Sequence, residues 1–272
     1  VPCRKRGTFF LYRSCCTSGQ HFTPLFPKCR HVLDHVPRPL NDMTDQQRYD
    51  LLLPFFSENK RSLFDRLAPM RTRHVTVVME NIFQSQNASA VIRTCDLVGV
   101  QSVHVIEDRN PYKLNPDVTL GSSKWVDLER YRSQTNNVKG CLDTLRAKGY
   151  RIIATSPRSE HTTPTNIDLQ KPMAFCFGTE LTGLSDELME QADEHIRIPM
   201  YGFTESFNIS ASAAIVLYTI MERLRASNVA WQLSEMELIA LKLQWARTVV
   251  QHADQVEARL LRDAGIEPEK GA

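Results

Sequence analysis

Short apolar runs alternate with longer amphipathic stretches through the middle of the 272-residue chain. Runs of about five apolar residues are typical of buried strands, whereas apolar residues three and four positions apart are typical of helices. The predicted strands are 75–79, 102–107, 125–128, 151–155, 173–177 and 195–198, and the predicted helices are 88–98, 135–148 and 208–224. This alternation predicts an α/β fold, a parallel sheet with helices on both faces.

Both ends of the chain show helical patterns without strands. A capping box at 44–47 predicts one short helix, and Ser57 precedes a second. Another capping box at 234–237 predicts one long amphipathic helix that reaches Leu260 and packs on its own domain or on a partner subunit. The predicted divisions are a basic, poorly ordered arm (1–42), a helical extension (43–70), the main α/β domain (71–226) and a C-terminal helical extension (227–272).

Composition narrows the class of protein. The chain is 42% hydrophobic, which is enough for a full core, and no apolar run approaches the roughly 20 residues that cross a bilayer. The N-terminal residues lack the apolar core of a secretory signal, so an intracellular, cytoplasmic location is expected. Seven cysteines fit no metal-ligand spacing, and no metal is expected.

Charge is distributed unevenly, although the net charge is only +2. Residues 1–40 contain seven Lys or Arg against Asp34 alone, so the remaining 26 basic and 30 acidic residues sum to −4. A basic arm is able to bind a polyanion, but its prolines and weak periodicity favour a poorly ordered leader. In the last helix, Lys242 and Arg247 form a basic face for which RNA contact is a minority interpretation.

Three segments contain the candidate chemistry. The first reads Asn-x-Ser-x-x-x-Arg (87–93), on a helix predicted to begin with Asn87 as its N-cap and to end at Gly99. The second reads Gly-x-Glu-x-x-Gly-Leu-Ser (178–185), and the third reads Ile-Pro-Met-x-Gly-x-x-x-Ser-x-Asn-x-Ser (198–210). Small residues at 210–214 allow another backbone to pack closely against the last core helix. No Gly-x-Gly-x-x-Gly loop follows the first strand, which disfavours a nucleotide-binding oxidoreductase.

In this order, the three segments closely resemble the motifs of the SpoU/TrmH family of RNA ribose 2′-O-methyltransferases. The resemblance spans residues 75–224 and implies a trefoil-knotted SPOUT fold, S-adenosylmethionine as methyl donor, and a homodimer whose interface completes the active site. Residues 121–126 further resemble the TrmH branch, which methylates guanosine 18 in the tRNA D-loop. A ribosomal RNA substrate, or a non-catalytic knotted RNA-binding protein, stays an alternative.

The resemblance also implies site residues by matching position. The cofactor would be bound by Thr155, Gly178, Ile198, Met200 and Phe207, mostly through backbone groups and apolar walls. The family usually has leucine where this chain has Phe207.

The catalytic set implied in the same way centres on Arg93, which would activate the ribose 2′-hydroxyl together with an RNA phosphate, or position that phosphate bidentately. Asn87, Ser206 and Asn208 would orient Arg93 and the target nucleotide, and Glu180 would have a structural or RNA-positioning role. In relatives a proline often stands two residues before the asparagine, where this chain has Ser85.

Overall fold

The computed structural model of the chain describes residues 43–132, 135–157 and 162–263. The predicted basic arm, residues 1–42, lies outside the described residues, as do the last nine positions of the predicted C-terminal extension.

Six strands form one parallel sheet in the order β3-β2-β1-β5-β4-β6. The strands are β1 (Thr72–Glu80), β2 (Val100–Ile106), β3 (Asp127–Tyr131), β4 (Arg151–Thr155), β5 (Met173–Phe177) and β6 (Glu194–Ile196). All six overlap their predicted ranges: β4 and β5 match them, whereas β1 and β2 begin three and two residues earlier than predicted. The third begins two residues later than predicted, because residues 122–124 form a 3₁₀ turn that leads into it.

Nine α-helices accompany the sheet within the part of the chain that the structure describes. They are α1 (Asp45–Leu52), α2 (Glu58–Leu67), α3 (Ser85–Val98), α4 (Pro116–Thr119), α5 (Asn137–Ala147), α6 (Asp186–Gln191), α7 (Ile209–Arg225), α8 (Glu235–Val249) and α9 (Ala253–Asp263). As predicted, α3 ends at Gly99, whose φ of 89° lies in the left-handed region. A Cβ there would also lie 2.3 Å from the Met70 carbonyl oxygen, so only glycine fits this position.

Alternate residues of the central strands enter two separate cores. Val75, Val77 and Met79 of β1 pack with α3 and α7, whereas Val78 packs with α5 and α6 on the opposite face. The α/β fold with helices on both faces of a parallel sheet is therefore confirmed, and the trefoil knot stays a prediction. Cys95, Cys141 and Cys176 are free and buried in these cores, where they serve as small apolar side chains.

The terminal helices pack against each other in a third apolar cluster, around Phe64 and Trp245. The predicted single long helix at the C-terminal end is wrong. The chain breaks after α8, where Val250 is extended and His252 takes a left-handed φ of 54°, so α9 turns back. This reversal is stabilised by the buried Glu257 carboxylate, which accepts hydrogen bonds from both Arg48 and Arg247.

The basic face suggested for RNA contact is partly neutralised within the chain. Lys242 pairs with Asp65 at 2.6 Å, and Arg247 pairs with Glu257 at 2.8 Å. Across residues 43–132, 135–157 and 162–263, each helix is too short or too polar to span a bilayer.

Candidate active site

A cleft of about 850 Å³ opens at the carboxyl edge of the sheet. Its walls are the segments that follow β1, β2 and β5, together with the first turn of α3 and the start of α6. Strand order reverses between β1 and β5, which are neighbours in the sheet but distant in sequence. In open α/β sheets, ligands bind outside the carboxyl ends of the strands at such a reversal.

At one side of this cleft, the structure joins one side chain from each of the three sequence motifs. The Asn87 Nδ2 atom donates to Glu180 Oε1 at 2.9 Å, and Asn208 Nδ2 donates both to Asn87 Oδ1 at 3.2 Å and to Glu180 Oε1. These three residues are named here the amide–carboxylate cluster. Because each member bonds to the other two, their relative positions are set before any ligand binds.

Each member is positioned by its local structure. Gln84, rather than the predicted Asn87, is the N-cap residue of α3, and Asn87 lies inside the first helical turn. The amide of Asn87 is therefore directed into the cluster and also reaches Gln84 Oε1 at 3.2 Å. Asn208 does act as an N-cap: its Oδ1 atom accepts from the Ser210 backbone N–H at 2.8 Å and so begins α7.

The loop that supports Glu180 depends on two glycines. A Cβ at Gly178 would lie 2.1 Å from the Gly183 carbonyl oxygen and 2.3 Å from the Leu184 backbone nitrogen. Gly183 itself has a φ of 71°, which favours glycine. The loop is closed by backbone hydrogen bonds between Thr179 and Gly183 in both directions, at 2.9 and 3.0 Å. The absence of side chains at these positions thus allows the tight turn that presents Glu180.

Arg93 does not join the cluster. It lies six residues after Asn87 on α3, roughly 9 Å along the axis and about 120° around it. Its side chain is exposed, and it forms no hydrogen bond or ion pair with any residue that the structure describes. Ser206 is likewise exposed and has no hydrogen bond to the cluster. A single chain therefore brings together three of the five predicted catalytic residues.

Three of the predicted cofactor residues lie at the ends of neighbouring strands. Thr155 ends β4, Gly178 follows β5 and Ile198 lies just after β6. The Thr155 hydroxyl donates to the Cys176 carbonyl at 2.7 Å, and the half-buried Ile198 packs against the larger core. Met200 is half-buried, and Phe207 is 44% exposed. All five lie outside the residues that line the cleft, so they mark a separate part of the sheet edge.

Sequence reasoning did not identify two polar residues at the end of β1. Glu80 is buried, and its Oε2 atom accepts the Ser185 backbone N–H at 2.8 Å, which ties β1 to the start of α6. Burial raises the pKa of the Glu80 carboxyl, and the hydrogen bonds from Ser185 partly oppose this shift. Asn81 accepts from the Asp108 and Arg109 backbone N–H groups at 2.9 and 2.8 Å. The only sequence feature that could have identified them is their position, at and directly after the end of an apolar strand.

Comparison with known proteins decides the family. The family model described as SpoU rRNA Methylase matches residues 74–218, more than half of the chain. The chain belongs to the SpoU methylase family. This SpoU region contains the whole cleft and all three members of the amide–carboxylate cluster.

Relatives within the SpoU family cover most of the chain. A protein of Borreliella burgdorferi named tRNA (guanosine(18)-2′-O)-methyltransferase is 44% identical over 211 residues, which are 78% of this chain and 95% of the relative. A protein of Aquifex aeolicus with the same name is 34% identical over 179 residues, covering 65% of this chain and 83% of the relative. A crystal structure described as an A. aeolicus TrmH/SpoU tRNA modifying enzyme superposes with a TM-score of 0.62 and 32% identity, covering 71% of this chain and 98% of the other.

Proposed function

We propose that this protein transfers a methyl group from S-adenosylmethionine to the ribose 2′-hydroxyl of guanosine 18 in tRNA. The observation that carries the proposal is the amide–carboxylate cluster, which joins one residue from each SpoU motif at the edge of the cleft. The substrate is supported by the name of the B. burgdorferi relative, since nearly the whole of that protein aligns with this chain.

The residues at the strand ends beside the cleft are suited to binding S-adenosylmethionine. Ile198 and Met200 offer apolar surface, and the absence of a Cβ at Gly178 keeps the backbone of its loop close to the β5 end. Backbone groups and apolar walls suit an adenine ring, while the sulfonium supplies an electrophilic methyl group. Phe207 in place of the usual leucine adds an aromatic surface at this wall.

The reaction requires an oriented ribose, because alignment of two reactants supplies much of the acceleration in a transfer reaction. The cluster presents fixed amide and carboxylate groups to the ribose. Arg93 binds the adjacent phosphate, for which its planar guanidinium provides paired N–H donors. As the bond from the 2′-oxygen to the methyl carbon forms, the bond from that carbon to the sulfonium sulfur would break and S-adenosylhomocysteine would leave. The hydroxyl proton would pass to the pair formed by Arg93 and the RNA phosphate.

A homodimer brings Arg93 to the cluster of the second subunit. Arg93 and Leu97 share the exposed side of α3, and Ile215 and Tyr218 are exposed on α7, which packs against α3. Leu97 and Tyr218 are 74% and 61% exposed, and the 201–207 segment adds exposed aromatic side chains. Apolar surface of this extent favours an interface. Tyr218→Glu should therefore shift the protein from dimers to monomers in sedimentation analysis.

The function is tested with methyl-labelled S-adenosylmethionine and an unmodified tRNA transcript. The methylated position is mapped by its resistance to alkaline cleavage, and modification at guanosine 18 is expected. Label in ribosomal RNA but not in tRNA would instead favour the alternative substrate. Binding of S-adenosylmethionine and RNA without transfer would favour a non-catalytic RNA-binding protein. A cytoplasmic location stays a prediction from the sequence.

A further inference from the structure

The cleft is strongly acidic, which is unexpected next to the active site of an RNA-modifying enzyme. Five carboxylates and one guanidinium line it, namely Glu80, Asp108, Glu180, Asp186, Glu187 and Arg109. Such a surface repels phosphate, so the RNA backbone is held elsewhere. The described residues also contain no group of three or more His, Cys, Asp or Glu that could hold a metal ion. The excess of acceptors instead suits a neutral ligand that presents hydrogen-bond donors.

One of these carboxylates has a buried oxygen without a hydrogen-bond partner among the described residues. Glu80 is only 2% exposed, and its Oε2 atom is held by Ser185, but its Oε1 atom has no hydrogen bond among the described residues. The other four lining carboxylates belong to exposed or half-buried residues, and none of their oxygens is a buried atom without a partner. A buried acceptor without a donor is costly, so Glu80 is the group in the cleft that a ligand would satisfy.

Two further residues of the cleft, an aromatic and an arginine, are suited to contact a base. Phe83 lines it while 79% of its side chain is exposed, which leaves a ring face free for stacking on a base. Arg109 also lines it and acts electrostatically on Glu80. A carboxylate, an arginine and an aromatic ring match guanine: its N1–H and N2 amino donors are adjacent, and O6 and N7 accept from arginine. Adenine, cytosine and uracil lack two adjacent donor groups on one edge.

We propose that this cleft binds the base of the target guanosine, with Glu80 accepting from the guanine donor edge and Phe83 stacking on the ring. Arg109 donates to the acceptor edge. The inference rests on the proposed methylation of guanosine and adds a reason for its selection over other nucleosides. The cluster and the base cleft share Asn87 and Glu180, so a base in the cleft leaves its ribose beside the cluster. Donors on Oε1 would also stabilise the carboxylate whose pKa burial raises.

The test compares tRNA transcripts that carry guanosine or inosine at the methylated position. Inosine keeps N1–H and O6 but lacks the N2 amino group. The kcat/KM of the wild-type protein should therefore be at least about tenfold higher for the guanosine transcript than for the inosine transcript. Glu80→Gln replaces the free acceptor by a donor. It should lower kcat/KM for guanosine about tenfold to a hundredfold and bring the guanosine-to-inosine ratio close to one. Glu190→Gln, an exposed acid of α6 outside the cleft, is the matched control and should keep the wild-type ratio.

Two readouts keep the test decisive. Binding of S-adenosylmethionine and the melting temperature of Glu80→Gln should match the wild type. If they do not, Phe83→Leu decides, since its exposure means that folding does not depend on it. Phe83→Leu should raise KM for both transcripts about tenfold, and Phe83→Tyr should restore it.

Equal use of guanosine and inosine by the wild type, or an unchanged ratio in Glu80→Gln, would overturn the proposal that the cleft binds the base and leave the proposed function untouched. No methylation of the guanosine transcript by the wild type would overturn the proposed function itself.

Discussion

At the first turn of α3, the buried Asn87 amide is hydrogen-bonded to the loop after β5 and to the start of α7. Six residues later on the same helix, Arg93 is exposed and has no partner among the described residues. The start of the helix is therefore organised by the chain itself, whereas its exposed face carries a charge that no described residue engages. This difference supports the proposal that the site is assembled in two steps, with the cluster formed on folding and the arginine added on association.

The largest effect on methyl transfer is expected for Arg93→Ala. Loss of a group that assists proton transfer costs about 10²–10⁴-fold in rate. Because Arg93 has no partner among the residues that the structure describes, the melting temperature and the affinity for S-adenosylmethionine should stay unchanged. Single-turnover methylation and calorimetric titration measure the two quantities. Arg262→Ala, an exposed arginine of α9, serves as control. A fall in stability with Arg93→Ala would remove the contrast between Asn87 and Arg93.

Substitutions in the amide–carboxylate cluster should be strongly coupled. Asn87→Ala and Glu180→Ala remove partners from one network, so the double variant should lose less activity than the sum of the two free-energy losses, by about 0.5–3 kcal/mol. Each single variant should reduce the rate by about 10²-fold, because the ribose loses its fixed neighbours. A double-mutant cycle with single-turnover rates measures the coupling. Additive losses would show that these side chains act independently.

Gly178→Ala should disturb the amide–carboxylate cluster and leave Arg93 unaffected. The added Cβ would lie 2.1 Å from the Gly183 carbonyl oxygen, so the loop that carries Glu180 must shift. Overpacking of this kind costs about 1–3 kcal/mol in the free energy of unfolding, which urea denaturation measures. Methyl transfer should fall about tenfold as the cluster loses its geometry. Gly202→Ala is the control for stability, since no described residue lies within 4 Å of a Cβ at that position. Equal stability of the two variants would contradict the tight turn.

The smallest effect on methyl transfer is expected at His104, which lies outside the residues that line the cleft. His104 is 2% exposed and faces Tyr131, Glu129 and Lys148, and burial lowers its pKa to about 4. An imidazole with a lowered pKa stabilises the fold above its unfolded pKa of about 6.5, and this contribution is lost as pH falls towards 4. His104→Gln should therefore flatten the loss of stability between pH 6.5 and 4, while activity at neutral pH is kept. Parallel acid denaturation curves would contradict this assignment.

Much of the fold follows from local pattern. The strands β4 and β5 have the bounds that their apolar runs predict, and the capping boxes at 44–47 and 234–237 both begin helices. The reversal between α8 and α9 was not predictable, since it depends on a left-handed His252 and on the long-range contact between Arg48 and Glu257. Helical periodicity continues through this break, and only tertiary contacts distinguish one helix from two.

For the candidate site as well, the sequence predicts some features and not others. The motifs identify Asn87, Glu180 and Asn208, but their mutual hydrogen bonds connect positions up to 121 residues apart and appear only in the folded chain. The role of Asn87 as N-cap was a wrong prediction, because asparagine is common both at caps and within first turns, and only backbone geometry separates the two. Glu80 was missed because a carboxylate at a strand end carries no spacing signal of its own.

The two-step assembly is tested most directly by mixed dimers of two inactive variants. Arg93→Ala and Asn87→Ala chains are co-expressed with different tags, and the mixed dimer is isolated by two affinity steps. If Arg93 of one subunit serves the cluster of the other, each mixed dimer holds one site with both groups intact and should recover about half of the wild-type rate, by the symmetry of such an interface. Isolated variants should stay inactive. A mixed dimer that is as inactive as its parents would place Arg93 and the cluster of the same chain in one site and contradict the account.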